Sequence, residues 1–174
     1  MKEIENRGGL VLDCDAVYHE LLTRDDALLN AIEARFPGVV EKGELQRKKL
    51  GAIVFADEQA LLDLNAITHG AIRAEIVRRL SENPNLAAID AIALFEGGLA
   101  ELCDVTVAVC APEEHRVERL MARDHISREY AQNRIRAQKS EDWFRSVCDH
   151  TLYNDGTREQ FAEKCRVFLD EVLK

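Results

Sequence analysis

Two aspartates that follow a short apolar run are the first residues of the sequence that could do chemistry. Asp13 and Asp15 lie at the end of GLVLDCD, where the apolar run predicts a buried strand and the next residues predict a helix. Side-chain alternation along a strand would place both carboxylates on the same side, at the end where α/β proteins bind ligands. Such a carboxylate could accept the proton of a hydroxyl group or hold a water molecule of a Mg²⁺ shell. Alternatively, one of the two acids only caps the helix that follows.

A third acid, Asp90, lies within the apolar run AAIDAIAL of residues 87–94. This run predicts another strand, buried on both faces as in a parallel sheet. A buried carboxylate costs several kcal/mol of free energy unless it is paired or lies near a cation. Alternatively, Asp90 lies at the solvated end of the strand, where this cost does not arise.

Five cations share a polar helical segment in the last third of the chain. They are Arg123, Arg128, Arg134, Arg136 and Lys139. Lids over transferring phosphoryl groups need such cations, because negative charge spreads over the phosphate oxygens in the transition state. The alternative is a solvated basic face of a helix.

The order of the predicted elements indicates how these residues are positioned. The predicted strands are residues 9–13, 87–94, 105–110 and 151–153. Because helical stretches separate them, they indicate an α/β fold with a parallel sheet. The helical block from about Asp25 to Leu80 is too long for a simple crossover. We therefore interpret residues 25–83 as an inserted helical lobe within one domain that spans residues 1–174.

Local signals predict the starts of three helices and the buried face of a fourth. Asp57 is a predicted N-cap, Pro112 a predicted first helical residue, and Thr157 with Gln160 a predicted capping box. The helix from about Asp25 is expected to bury one face, formed by Leu28, Leu29, Ile32 and Phe36.

Composition excludes several classes of protein. The chain has 23 basic and 32 acidic residues, a formal net charge of −9, which argues against a general nucleic-acid binder. No apolar run is long enough for a membrane span, and the polar start MKEIENRGG lacks the features of a signal peptide. The five cysteines form no CxxC pair and are expected to be reduced thiols. We therefore expect a cytoplasmic protein without nucleic-acid or membrane partners, and the oligomeric state stays open.

Several common catalytic motifs do not occur in the 174 residues. There is no HExxH, no zinc-ligand spacing, no GxSxG and no GxGxxG. The phosphate loop GxxxxGK[ST] is also absent: Gly38 and Gly43 have its spacing, but Glu44 and Leu45 follow instead of lysine and serine or threonine.

Taken together, seven stretches resemble the dephospho-coenzyme A kinase family, in that family's order and spacing. They are GLVLDCDAVYHELL, GELQRKKLGAIVF, LLDLNAITHGAIRAEI, AAIDAIALFEGGL, VTVAVCAPEEHRVERLMARD, SREYAQNRIRAQKS and CDHTLYNDG. The resemblance implies a parallel-sheet P-loop NTPase core of the nucleoside-kinase type, a helical lobe that holds dephospho-CoA, and a lid at about residues 123–140. It also implies transfer of the γ-phosphoryl group of ATP to the ribose 3′-hydroxyl of dephospho-CoA with Mg²⁺, a step of coenzyme A biosynthesis.

The resemblance also implies roles for individual residues near the first strand and in the helical lobe. Asp15 matches the position expected to act as base toward the 3′-hydroxyl, and Asp13 would support it or the metal shell. His69 and Arg73 in THGAIR match a substrate-binding motif, and Arg47 matches a basic position of the same lobe. No residue is directly assigned as a metal ligand.

In the second half of the chain, Arg123 and Arg134 match lid arginines near the phosphates. Asn154 and Gly156 in YNDG match the loop that frames the adenine of ATP. Two departures from the family pattern lie elsewhere: Gly70 replaces a proline after His69, and Ile92 replaces a proline after Asp90.

The largest departure is at the start, where family members have a strand, the loop GxxxxGK[ST] and a helix. MKEIEN is expected to be the end of that helix, with Gly8 and Gly9 terminating it, so the first strand and the phosphate loop are missing from these residues. The loop supplies backbone N–H groups, a lysine and a hydroxyl for Mg²⁺. We therefore expect the 174-residue chain to lack kinase activity.

Three explanations for the missing loop stay open. Translation starts at an upstream codon, the protein is truncated and inactive, or the chain is a non-catalytic binder of CoA-like nucleotides.

Overall fold

The computed structural model describes residues 1–24, 26–82 and 84–174, which form two compact units, residues 1–102 and 103–174. The helices of the first unit are α1 (Lys2–Asn6), α2 (Cys14–Arg24), α3 (Asp26–Arg35), α4 (Arg47–Val54) and α5 (Glu58–Leu80). Its strands are β1 (Leu10–Asp13), β2 (Val40–Glu41), β3 (Glu44–Leu45) and β4 (Ala87–Asp90). Asp25 and Asn83, the predicted bounds of the helical lobe, lie outside the described residues.

A parallel pair of strands carries the acidic residues of the first unit. β1 pairs with β4 in a register that sets Leu10 beside Ala87 and Asp13 beside Asp90. The prediction of a strand over residues 87–94 is wrong in its second half, because β4 ends at Asp90. Ala91 and Leu94 are apolar for another reason: they pack on a core formed by Leu12, Cys14, Val17, Ile76 and Leu99.

The predicted helices after β1 are confirmed in this unit, and a hairpin that was not predicted separates two of them. Leu28, Leu29, Ile32 and Phe36 are all buried, as the periodicity predicted. The Asp57 side chain accepts hydrogen bonds from the N–H groups of Gln59 and Ala60, which confirms it as the N-cap of α5. The hairpin joins β2 to β3 through Lys42 and Gly43, which have φ of 54° and 79°.

The turn between α1 and β1 requires both of its glycines. Gly8 has φ of +73°, and the N–H groups of Gly8 and Gly9 donate to the carbonyls of Glu5 and Ile4 in the pattern of a Schellman C-cap. A Cβ on Gly9 would lie 2.6 Å from Ile4 Cγ2 and 3.0 Å from both Ile4 O and Leu86 Cγ. The predicted helix end at Gly8 and Gly9 is therefore confirmed.

We expect the Gly9→Ala change to lower the free energy of unfolding by about 1–3 kcal/mol, because the new methyl group has no room beside Ile4. Gly70→Ala is the matched control, since a Cβ there meets nothing within 4 Å in the interior of α5. It is expected to stabilise the protein by about 0.5–1 kcal/mol. Urea unfolding of both variants measures the two changes, and equal effects would contradict the packing explanation.

The second unit has its own parallel strand pair. Its strands are β5 (Val107–Cys110) and β6 (His150–Tyr153), and its helices are α6 (Glu113–Asp124), α7 (Arg128–Arg136), α8 (Glu141–Val147) and α9 (Arg158–Val172). The Thr157–Gln160 capping box of α9 is confirmed. Pro112 is the N-cap of α6 rather than its first residue, because its ψ of 139° is extended. α8, which was not predicted, is short and begins at the Ser140 cap.

β5 begins at Val107, two residues later than predicted. The hydroxyl and N–H groups of Thr106 both donate to the Asp149 carboxylate, at 2.7 and 2.8 Å, so a side chain binds the residue that precedes the strand. Among the helices of the described residues, none is long and apolar enough to cross a bilayer.

Candidate functional site

The carboxyl ends of β1 and β4 bring three aspartates into one electrostatic neighbourhood. Asp13 and Asp90 are register partners, and each is the last residue of its strand. Asp15 is not in the strand but in the first turn of α2, so the predicted alternation of Asp13 and Asp15 along β1 is wrong. Asp90 is exposed, which confirms the second interpretation of this residue: its carboxylate lies at the solvated end of the strand.

Asp13 determines where the strand stops and the helix starts. Its Oδ1 accepts hydrogen bonds from the backbone N–H groups of Asp15 at 2.9 Å and Ala16 at 3.1 Å. This is the geometry of an N-cap, so the alternative that one of the two acids caps the helix holds for Asp13. Asp15 enters the helix with an exposed side chain. The backbone carbonyl oxygen of Asp15 lies 2.7 Å from Nδ1 of His19. Because a carbonyl can only accept a hydrogen bond, Nδ1 carries the hydrogen and donates it.

The three carboxylates perturb their surroundings. Burial, followed by the charges of Asp13, Asp90 and Asp15, raises the pKa of the Cys14 thiol to about 11. Partial removal from water, followed by the charges of Asp13 and Asp15, raises the pKa of Asp90. The end of this sheet therefore favours a cation or a hydroxyl group over another anion.

The residues predicted to bind substrate lie on two helices of the same unit. Arg47 is the first residue of α4 and is exposed. Burial raises the pKa of the Tyr18 phenol, and the positive charge of Arg47 offsets part of this shift. His69 and Arg73 lie one turn apart on α5, both partly buried.

Arg73 connects α5 to the loop after β4. Its Nε donates to the carbonyl of Gly98 at 3.3 Å, and its Nη2 lies 3.7 Å from Glu101 Oε2. Gly98 has φ of +66°, a conformation that glycine adopts without strain. The loop FEGGL is thus held beside the arginine predicted to contact substrate.

The two arginines predicted for the lid share one carboxylate in the second unit. Arg123 and Arg134 both donate to Asp124, each with a shortest distance of 2.6 Å. Two of the other three predicted lid cations have structural contacts: Arg128 is paired with Glu114, and Lys139 lies 5.4 Å from the centre of the Trp143 ring. For these two, the alternative of a basic helix face fits the structure.

The predicted adenine loop follows β6. The Asn154 N–H donates to the Cys110 carbonyl at 2.7 Å, and its Oδ1 accepts from Arg119 Nη2 at 3.2 Å. A Cβ on Gly156 would collide with the Gln160 side chain, which is engaged in the capping box. A shallow groove of about 580 Å³ lies beside this loop. Its lining residues are Asp155, Gly156, Glu159, Gln160, Glu163 and Lys164.

Two residues of this unit that contact predicted site residues were not predicted from the sequence. Arg119 was overlooked although its spacing with Arg116 and Arg123 places all three on one side of a helix. Asp124 was overlooked because its partner Arg134 is ten positions away, on another helix.

Comparison with known proteins decides the family. A family model described as dephospho-CoA kinase matches residues 2–160. The chain belongs to the dephospho-CoA kinase family. The dephospho-CoA kinase of Bacillus licheniformis is 33% identical over 169 residues, which cover 94% of this chain and 84% of that protein. That of Thermobifida fusca is 34% identical over 177 residues, which cover 99% and 88%.

Solved structures agree with the family assignment. The crystal structure of TT1252 from Thermus thermophilus matches with a TM-score of 0.79 and 32% identity, over 97% of this chain and 87% of that one. Dephospho-CoA kinase from Campylobacter jejuni matches with a TM-score of 0.67 and 25% identity, over 98% and 88%. The resemblance and the P-loop kinase class of fold that it implied are thereby confirmed. The roles of the individual residues stay predictions.

Proposed function

We propose that the protein transfers the γ-phosphoryl group of ATP to the ribose 3′-hydroxyl of dephospho-CoA in coenzyme A biosynthesis. The observation that carries this proposal is the match of residues 2–160 to the dephospho-CoA kinase family model. None of the five cysteines, all within the part of the chain that the structure describes, forms a disulfide bond, which fits the cytoplasm as the compartment of the reaction.

In this proposal, Asp15 is the general base. Its exposed carboxylate accepts the proton of the 3′-hydroxyl while the 3′-oxygen forms a bond to the γ-phosphorus and ADP leaves. Asp13 supports this step through the backbone, because its carboxylate binds the N–H group of Asp15 and fixes the first turn of α2. Arg47, His69 and Arg73 bind dephospho-CoA, while Arg123 and Arg134 bind phosphate oxygens and Asn154 with Gly156 frames the adenine.

The acidic residues fit a role for Mg²⁺ that needs few protein ligands. Mg²⁺ prefers carboxylate oxygens and in kinases usually takes one or two of them, together with phosphates and water. Over residues 1–24, 26–82 and 84–174, no group of three or more His, Cys, Asp or Glu side chains is arranged to hold a metal. Asp13 would hold a water of a Mg²⁺ shell. The ion itself would neutralise charge on the phosphates.

A second candidate function is non-catalytic binding of CoA-like nucleotides. One observation favours it: Arg47, His69 and Arg73, the residues predicted to bind dephospho-CoA, all lie on α4 and α5 of the first unit. The two candidates share the binding of dephospho-CoA and differ in turnover. ATP-dependent formation of CoA by a chain that includes a phosphate loop therefore separates them.

The binding step common to both candidates can be tested on the 174 residues. We expect dephospho-CoA to bind saturably in calorimetry, and the Arg73→Gln change to weaken the affinity about tenfold by removing a charge-assisted contact to phosphate. Arg78→Gln is the matched control, because Arg78 lies on the same helix and is bound to Glu75 and Glu82. It is expected to leave the affinity unchanged.

One outcome would contradict the proposed substrate, and another would contradict the role of Arg73. No heat and no thermal shift with dephospho-CoA would remove both candidate functions. Equal weakening by the Arg73 and Arg78 changes would remove Arg73 from the site and leave only a general effect of charge.

A further inference from the structure

Asp124, the last residue of α6, is bound by the side chains of two arginines on two helices. Its Oδ1 accepts from Arg123 Nε at 2.6 Å, and its Oδ2 accepts from Arg123 Nη2 at 3.0 Å and Arg134 Nη1 at 2.6 Å. The hydrogen bond from Arg123, and then that from Arg134, lowers the pKa of Asp124 to about 2. The carboxylate is therefore ionised whenever the protein is folded near neutral pH.

The arginines keep unused donors beyond this carboxylate. A guanidinium has more N–H groups than these contacts with Asp124 engage, since Arg134 donates through Nη1 alone and Arg123 through Nε and Nη2. The side chains of Arg123 and Arg134 are 68% and 47% exposed, against 24% for Asp124. The Asp124 side chain is thus less exposed than the two arginine side chains that bind it, and both arginines stay accessible to solvent.

The helices beneath this cluster are packed on each other. Val117 of α6 and Ala131 and Ile135 of α7 form a small buried core. A second ion pair, Arg128 with Glu114, joins the same two helices at other positions. Asp124 therefore lies at the end of a helix that is packed against α7. The Arg128–Glu114 pair, between the same two helices, can be compared with the Asp124 cluster.

We propose that Asp124 is a positioning residue, which holds Arg123 and Arg134 side by side so that one polyphosphate group contacts both. This inference rests on the proposed function, because it takes the two arginines as the phosphate-binding residues of the lid.

Asp124 lowers the entropic cost of binding a phosphate and does not compete with the phosphate for the arginines. Two long arginine side chains lose rotamer freedom when they bind a phosphate, and the carboxylate has already restricted them. Its single negative charge leaves the cluster of two guanidinium groups with a net positive charge. The contacts to an incoming anion are made by donors that Asp124 does not use.

Inorganic tripolyphosphate is the probe for this inference, and the Nε–Hε signals of the ¹⁵N-labelled 174-residue chain are the measurement. We expect the signals of Arg123 and Arg134 to shift together with one common Kd. Asp124→Asn is expected to raise that Kd about tenfold, because each arginine must then be ordered by the ligand alone. Asp124→Glu, which keeps the charge, is expected to restore part of the affinity.

Glu114→Gln is the matched control, since it breaks the other carboxylate–arginine pair between α6 and α7 and touches neither Arg123 nor Arg134. It is expected to leave the Kd for tripolyphosphate unchanged. An equal loss in this variant would overturn the inference, because Asp124 would then act only through the stability of the helix pair. An unchanged or tighter Kd in Asp124→Asn would also overturn it, since the carboxylate would be a bystander or a competitor.

The unaltered protein provides a test that does not depend on any variant folding. Separate Kd values for the two arginine signals, or a shift of neither, would overturn the inference. Failure of the proposed function would give a different result. Tripolyphosphate would then bind Arg123 and Arg134 as expected, but a chain that contains a phosphate loop would form no CoA.

Discussion

A chain in which these 174 residues follow a strand, a GxxxxGK[ST] loop and a helix is expected to convert dephospho-CoA and ATP to CoA and ADP. In that chain, the Asp15→Asn change is expected to lower kcat by about 10²–10⁴-fold, the usual contribution of a general base. Asparagine keeps the size of the side chain and removes its negative charge together with its ability to take the proton. Chromatographic measurement of CoA formation at saturating substrate gives kcat directly.

Asp26→Asn is the matched control, because Asp26 is an exposed acid in the first turn of α3 and has no assigned role in the site. Its kcat is expected to be unchanged. If Asp15→Asn kept more than about a tenth of kcat, or raised only KM, Asp15 would bind substrate without acting as base. The 174 residues without a phosphate loop are expected to show no turnover, and a robust rate from them would contradict the role given to that loop.

The boundary at Asp13 explains why Asp15 was partly mispredicted. A run such as GLVLDCD allows the strand to continue through residue 15, and alternation then places both acids on one side. In the structure, the Asp13 carboxylate binds the N–H groups of Asp15 and Ala16, which ends the strand and starts the helix. Competition between a cap and a strand ladder depends on tertiary packing, so sequence alone left both interpretations open.

Features that depend on neighbours in sequence were predicted more completely. The caps at Asp57 and Thr157 and the helix end at Gly8 need contacts within a few residues, and all three are present. The end of β4 was not predicted, because Ala91 and Leu94 are partly buried by packing outside the strand. Apolarity reports burial and does not distinguish a strand from a buried turn.

The contacts around the predicted site residues depend on distant parts of the chain. Arg73 meets Gly98 across 25 positions, and Arg119 meets Asn154 across 35. A sequence motif can suggest that an arginine binds a ligand, but it does not indicate which carbonyl or carboxylate orients the guanidinium group. That information comes from the fold.

The largest effect on stability is expected from Ile76→Ala. Ile76 has no exposed surface and packs in the core with Leu12, Cys14, Val17 and Leu99. Removing its outer carbons is expected to lower the free energy of unfolding of the first unit by about 2–5 kcal/mol, because the transfer term and the cavity add. This is a large fraction of the roughly 5–15 kcal/mol of a typical domain.

Val77→Ala is the matched control, since Val77 is the next residue on the same helix and is 40% exposed. It is expected to change stability by less than about 0.5 kcal/mol. Because the chain forms two compact units, the measurement must report on residues 1–102 alone, and hydrogen exchange of the Leu12 and Ala88 amides, which donate between β1 and β4, does so. Leu12 precedes Asp13 in β1, so loss of its protection in Ile76→Ala would mean that this core also holds the strand end that carries the acids. Unchanged protection of both amides would instead show that β1 and β4 are stabilised independently of α5.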